Sequence, residues 1–154
     1  MKTSNQRLLI EQADRKLQPF KGLETIVIPP KGWINTIRTA LKMSLRQLGS
    51  RLKISPQSVK EIEDREMNGS LTIKSLRAAG LALNLKLVYG FIPIDSSIEK
   101  MIERRAYELA METLSRTSQS MKLEDQENSE ERLQKAIEMK AGEIIDKMPK
   151  YLWD

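Results

Sequence analysis

The chain has no cysteine and no histidine in 154 residues. The first absence excludes disulfides and thiolate metal sites and fits a reducing compartment. The second removes the usual general base near neutral pH and the commonest metal ligand. Aromatic residues make up only 5%, too few for the stacking platforms that hold single-stranded nucleic acid. No apolar run approaches the roughly 18 residues of a membrane span, and no signal-peptide pattern opens the sequence. A cytoplasmic protein without membrane attachment is expected. There is no Gly-rich phosphate loop and no nucleophile elbow, and the carboxylates fall outside metal-ligand spacings. An enzyme is therefore not expected, nor a cofactor or a metal.

What is present is charge, unevenly spread around a net +5. Residues 31–77 carry ten basic and four acidic side chains, whereas residues 95–154 carry ten basic and fourteen acidic. A basic segment supplies the sequence-independent phosphate attraction of a DNA-binding protein.

The basic segment contains the most informative stretch, Met43 to Glu63. Ser44 is placed to cap a short helix over Leu45 to Leu52, with Leu45, Leu48 and Leu52 on one face. A break follows at Lys53-Ile54. Ser55 then caps a second helix, with Pro56 in its first turn, where a missing N–H is harmless. Val59 and Ile62 point inward, leaving Gln57, Ser58, Lys60, Glu61 and Asp64 outward. Two short helices joined by a tight turn, the second polar on its free face, is the helix-turn-helix pattern of major-groove readers. An ordinary helical hairpin in an all-α core is the plainer alternative. Gly49 supplies the small residue such a motif needs at the helix contact, and Ile54 an apolar plug in the turn.

On these residues the stretch resembles the lambda-repressor-like, Xre-type helix-turn-helix family. One departure is Lys53, where that family usually has Gly because the turn is left-handed; a side chain there costs roughly 1–2 kcal/mol. The preceding helix, Gly32 to Lys42, carries an inward stripe of Trp33, Ile37 and Leu41. The resemblance further implies that Arg38 pairs with Glu63 as a structural brace; otherwise they are two unrelated surface charges.

Around this core, residues 4–17 read as a helix with a stripe of Leu8, Leu9, Ala13 and Leu17, followed by an extended connector to Pro30. Thr72 or Ser70 opens a closing helix bearing Ile73, Leu76, Ala79 and Leu83. Leu85 to Ile92 is apolar, β-branched and aromatic, and is the one strand expected. Its partner is either Thr25 to Ile28 or the same strand of a second copy across a two-fold axis. Two long helices complete the chain. The first has a capping box of Ser96 with Glu99 and a stripe from Ile98 to Leu114. The second has a box of Asn128 with Glu131 and a stripe from Leu133 to Met148.

Several short stretches together look like the mobile mystery protein A family over nearly the full length. They are Pro30 to Trp33, the helix-turn-helix, Leu87-Val88-Tyr89 followed by Pro93, Ser120 to Gln126, and Leu152-Trp153-Asp154. That family is a small bacterial DNA-binding protein encoded beside mobile mystery protein B, which carries a Fic domain. The resemblance implies the antitoxin and repressor half of a Fic-type toxin–antitoxin pair. Fic antitoxins often carry Ser/Thr-x-x-x-Glu-Gly/Asn, whose Glu pairs with a Fic arginine. Ser120 and Glu124 match it and are the partner-inhibition candidates, although Asp125 departs from Gly/Asn.

The expected architecture is mainly α. It comprises an N-terminal helix and connector over 1–30, a five-helix helix-turn-helix domain with a terminal strand over 31–94, and a helical extension over 95–154. The expected function is a homodimeric, sequence-specific binder of double-stranded operator DNA that represses its own operon and neutralises a Fic-domain toxin. Gln57, Ser58 and Glu61 are expected at base edges, and Arg46, Lys53, Lys60 and Asn68 at phosphates. The alternatives are a phage-type repressor without a toxin partner, or a toxin-binding inhibitor with weak DNA binding.

Overall fold

Seven α-helices organise the chain in the computed structural model, which describes residues 2–121 and 129–154, with side chains over 4–116 and 130–154. They are α1 (Lys2–Leu17), α2 (Trp33–Ala40), α3 (Leu45–Leu52), α4 (Pro56–Asn68), α5 (Ile73–Ala82), α6 (Ile98–Met121) and α7 (Ser129–Lys147). Short 3-10 segments lie at Gln18–Leu23 and Lys150–Trp153. The protein is mainly α, and none of these helices is long and apolar enough to cross a membrane.

The contacts divide the chain into two units: Thr25–Tyr89, and Met1–Glu24 together with Gly90–Asp154. The N-terminal helix, expected to form a segment with its connector, thus belongs with the C-terminal helices.

In the Thr25–Tyr89 unit, α2 to α5 enclose Ile34, Leu48, Val59, Ala79 and Leu83. Ile37, Leu45, Leu52, Ile54, Ile62 and Leu76 pack around them. The stripes expected of α3 and α4 are those observed. On α2 the buried residue is Ile34, not Trp33 or Leu41, which are 42% and 56% exposed. An eight-residue helix has only two turns, and the α4 carboxylates described below set its rotation.

The α3–α4 connection shows why its residues are what they are. Ser44 accepts the Gln47 N–H at 3.1 Å while the Gln47 side chain accepts the Ser44 N–H at 2.8 Å, a reciprocal capping box. Helix α3 ends at Lys53 in the left-handed conformation, φ 58° and ψ 42°. Gly49 sits where a Cβ would come within 2.7 Å of the Ile54 carbonyl oxygen, so the turn folds back over a position that admits only hydrogen.

In the other unit, α6 and α7 pack through Ile102, Ala106, Ala110, Ile137, Ala141 and Ile144, the alanines permitting close approach. Leu152 is fully buried against them, and Arg105 Nε donates to its carbonyl at 2.8 Å. On α1 the residue packed against this core is Ile10, while Leu8 and Leu9 are about half exposed. Asp14 of α1 accepts the backbone N–H groups of Ile98 at 2.6 Å and Glu99 at 3.2 Å. This replaces the expected box of Ser96 with Glu99: Asp14 occupies the first N–H groups of α6, Ser96 turns left-handed, and Ser97 caps the Lys100 N–H. Asn128, of the second box, lies outside the described residues.

The strand expected over Leu85 to Ile92 is corrected. The segment carries no ladder in the single chain, and no strand occurs among the described residues. Thr25 to Ile28, its candidate partner in the chain, is likewise unpaired, and a lone segment has nothing to ladder with.

Two substitutions test the connection in opposite senses. Gly49→Ala should lower stability by about 1–3 kcal/mol, because its methyl meets a backbone carbonyl that cannot move aside cheaply. Lys53→Gly should raise stability by about 1 kcal/mol by relieving the left-handed side chain. Urea denaturation of both variants measures the two shifts, and equal signs would refute the account.

Candidate nucleic-acid interface

Helix α4 has two faces because its residues alternate at helical spacing. Val59, Ile62, Glu63 and Glu66 turn inward, while Gln57, Lys60, Glu61 and Asn68 are exposed. Ser55 caps the helix by accepting the Ser58 N–H at 3.1 Å.

The inward carboxylates hold α4 to α2. Glu63 is only 2% exposed. Arg38 donates to it through Nε to Oε1 and Nη2 to Oε2, the latter at 3.2 Å. Asn35 Nδ2 donates to Oε2 at 2.8 Å, and Arg38 Nη1 reaches the Met43 carbonyl at 2.8 Å. Burial by itself raises the Glu63 pKa, but the hydrogen bonds from Arg38 and Asn35, with the positive charge of Arg38, outweigh it and hold the carboxyl below its ordinary range.

One turn further along, the Glu66 carboxylate accepts the backbone N–H groups of Trp33 at 2.7 Å and Ile34 at 3.0 Å. Helix α2 begins after Gly32, which offers no capping side chain, and has no acidic residue in its first turn. A carboxylate from another helix therefore satisfies its orphan donors. Gly32 has φ 83°, and a Cβ there would lie 2.9 Å from the Glu66 carboxylate. Neither Glu66 nor Asn35 emerges from the sequence reading. The available signals were an uncapped helix start after a glycine and two glutamates three residues apart on one face.

The outward residues differ in how free they are. Gln57, Glu61 and Arg46 are exposed and make no side-chain hydrogen bond or ion pair among the described residues. Lys53 is exposed at the left-handed end of α3. Lys60 is ion-paired with Asp64 at 3.2 Å. Ser58 is half-buried with its hydroxyl 2.9 Å from that of Ser55, so it belongs to the cap more than to the open face. Asn68 closes the end of α4 by accepting from the Ser70 N–H at 3.0 Å and hydroxyl at 2.6 Å, which leaves its amide NH2 outward-capable. Ser120 and Glu124 lie outside the residues whose side chains are described.

The Thr25–Tyr89 unit holds eleven basic and four acidic residues. Two of those acids, Glu63 and Glu66, are turned inward, and Asp64 is paired with Lys60. The open face of α4 is therefore polar in a positive surround. Among the described residues, no three His, Cys, Asp or Glu side chains are grouped to hold a metal ion. Comparisons with family models, curated proteins and solved structures gave no match.

The Arg38–Glu63 brace has two expected signatures. Removing either partner alone should cost about 3–5 kcal/mol by stranding a buried charge, whereas removing both should cost less than the sum. A double-mutant cycle by urea denaturation without coupling would refute it. Because the Glu63 pKa is depressed on folding, its contribution is present above the ordinary value of 4.5 and lost as pH falls below that value through the folded-state pKa. Glu63→Gln should accordingly flatten the fall of Tm with pH below about 4.5, measured against wild type.

Proposed function

We propose that the protein is a sequence-specific, double-stranded DNA-binding repressor built on a lambda-repressor-like five-helix helix-turn-helix domain, and that it is the antitoxin of a Fic-type toxin–antitoxin pair in the cytoplasm. The observation that carries the DNA reading is the N-terminal half of α4, where Gln57 and Glu61 stand exposed on a unit with eleven basic and four acidic residues. An α-helix fits the major groove, where Gln pairs with adenine and Glu accepts from cytosine N4. Arg46 and Lys53 supply phosphate contacts beside it, with Lys60 and Asn68 available once their local partners yield.

The toxin reading rests on the resemblance to the mobile mystery protein A family, whose neighbour carries a Fic domain. It is supported by the division of the chain. The basic unit suits DNA, while Met1–Glu24 with Gly90–Asp154 holds fifteen basic and seventeen acidic residues. Two partners with opposite electrostatic demands are thus served by separate surfaces. Ser120 and Glu124 are the residues assigned to the Fic nucleotide pocket, since a carboxylate competes with a phosphate for one arginine.

Electrophoretic shifts with the DNA upstream of the coding region test the first part. Gln57→Ala should weaken operator binding by about 1–3 kcal/mol and leave random DNA nearly unaffected. Lys53→Gly should weaken both and reduce the log–log salt slope by about 1, even as it stabilises the fold. Equal losses from Gln57→Ala on operator and random DNA would remove base reading.

Co-expression with the protein of the adjacent reading frame tests the second part. The full chain should suppress toxicity, and Glu124→Gly should still co-purify with the toxin while nucleotidyl transfer resumes. No complex with the full chain would favour a phage-type repressor. Suppression without an operator shift would favour an inhibitor that binds DNA weakly.

A further inference from the structure

We infer that the cleft walled by α1, the start of α6 and the end of α7 binds a small organic cation, an amine or guanidine carried at one end of an apolar body. All of its lining belongs to one unit, Met1–Glu24 with Gly90–Asp154, so the inference is independent of what α4 binds.

Helix α1 rests on the core of α6 and α7 through Ile10. Two polar contacts tie it down on either side of that residue. Asp14 takes the first N–H groups of α6, and Arg7 Nη2 lies 3.6 Å from Asp146 Oδ1 on α7. Alongside these contacts a cavity of about 700 Å³ remains, within the roughly 300–1,000 Å³ of small-molecule sites.

The two sides of the cavity differ in chemistry. The α7 side supplies apolar surface from Ile145, Met148, Pro149 and Trp153, with Trp153 53% exposed. The α1 and α6 side sets four carboxylates, Glu11, Asp14, Glu99 and Glu103, around Ile10 and Ile102. The cation of that side, Arg7, is turned to Asp146 of the other. Asp14 is satisfied by the α6 N–H groups, and Glu103 by Lys100 at 2.9 Å. Glu11 and Glu99 make no side-chain hydrogen bond or ion pair among the described residues. A ligand cation would give these two carboxylates charge-assisted hydrogen bonds, and the open indole offers it a cation–π face.

The same lining discriminates among cations. Among the described residues no three His, Cys, Asp or Glu side chains are grouped to hold a metal ion, and a bare ion would leave the apolar side uncovered. A polyamine, charged along its length, would set ammonium groups against Lys147 and Lys150 on the α7 side. A cation at one end of an apolar body meets neither difficulty. Its head reaches Glu11 and Glu99, and its body covers Ile145, Met148 and Trp153.

The chain has two tryptophans, Trp33 and Trp153, one in each unit, so each can be read alone by fluorescence. In Trp33→Phe protein, phenylbutylamine should shift the Trp153 emission saturably. Phenylbutanol, its uncharged counterpart, should bind about tenfold more weakly for want of the charge-assisted contact. Spermidine should also bind more weakly than the amine. Adding Glu11→Gln and Glu99→Gln, which breaks no hydrogen bond or ion pair of the fold, should weaken the amine about tenfold and leave the alcohol unchanged. Absence of a saturable shift at Trp153, equal affinity for amine and alcohol, tighter binding of spermidine, or equal losses of amine and alcohol in the carboxamide variant would overturn the inference. The comparison of amine with alcohol needs neither glutamate substitution, so it decides even if that variant does not fold.

Discussion

The buried carboxylate of Glu63 is the constraint on which the Thr25–Tyr89 unit depends. An ionised carboxylate that is 2% exposed is tolerable only if its oxygens are filled with donors. Arg38 and Asn35 of α2 supply them, and Arg38 is itself fixed by the Met43 carbonyl in the turn before α3. One charged group therefore relates α2, α4 and the turn between α2 and α3. Hydrophobic contacts at Val59 and Ile62 would hold α4 in place but would resist rotation about its axis weakly. The hydrogen bonds have direction, and they set which residues of α4 face outward. Glu66 repeats the device one turn later on the bare N-terminus of α2, so the helix is braced at two levels.

What the sequence made legible follows from the range of the interactions. The bounds of α3 and the caps at Ser44 and Ser55 depend on neighbours within a few residues, and three- and four-residue spacings reveal them, whereas the left-handed turn at Lys53 is implied by the resemblance alone. The Arg38–Glu63 pair came through resemblance alone, because nothing local links residues 25 positions apart. Glu66 capping α2, 33 residues away, and Asp14 capping α6, 84 residues away, had no such guide. At α2 the helix start lacks a local side-chain cap and a distant carboxylate fills the gap; at α6 Asp14 takes the N–H groups of Ile98 and Glu99 while Ser97 caps that of Lys100 locally. The Leu85 to Ile92 run shows a different limit. Its residues have strand propensity, but a strand exists only with a partner, and composition carries no information on which chain provides it. Spacing places Ser58 and Lys60 outward on α4 but says nothing of their partners, and a cap and an i,i+4 ion pair engage them.

The distribution of acids bears on how the positive unit works. A basic protein gains phosphate attraction from its net charge, but a surface carboxylate beside the contact repels the same phosphates. Four acids for eleven bases is already a low proportion. Placing Glu63 and Glu66 inside converts half of them from surface charges into hydrogen-bond acceptors, as their partners require. The same two residues thus position the helix and keep negative charge off its open face. Glu61 is the exposed exception. On the proposed reading it would be costly against a phosphate and useful only against a base-edge donor, so its position is informative about the groove.

Lys53 brings the conflict between fold and function to a single residue. The turn it occupies is left-handed, which glycine adopts without steric penalty and lysine does not. Gly49, four residues earlier, shows that glycine does stand in this connection where packing compels it: a methyl there would meet the Ile54 carbonyl at 2.7 Å. At Lys53 no such crowding forces the choice, and the side chain is exposed. A cation at the end of α3 is favoured by the helix dipole, an effect of about 0.3–1 kcal/mol that offsets only part of the strain of about 1–2 kcal/mol. The remainder is uncompensated within the fold. Local rules are commonly broken where a site needs something the fold does not, and what a lysine adds over a glycine at this point is one positive charge beside α4, the helix proposed to meet DNA.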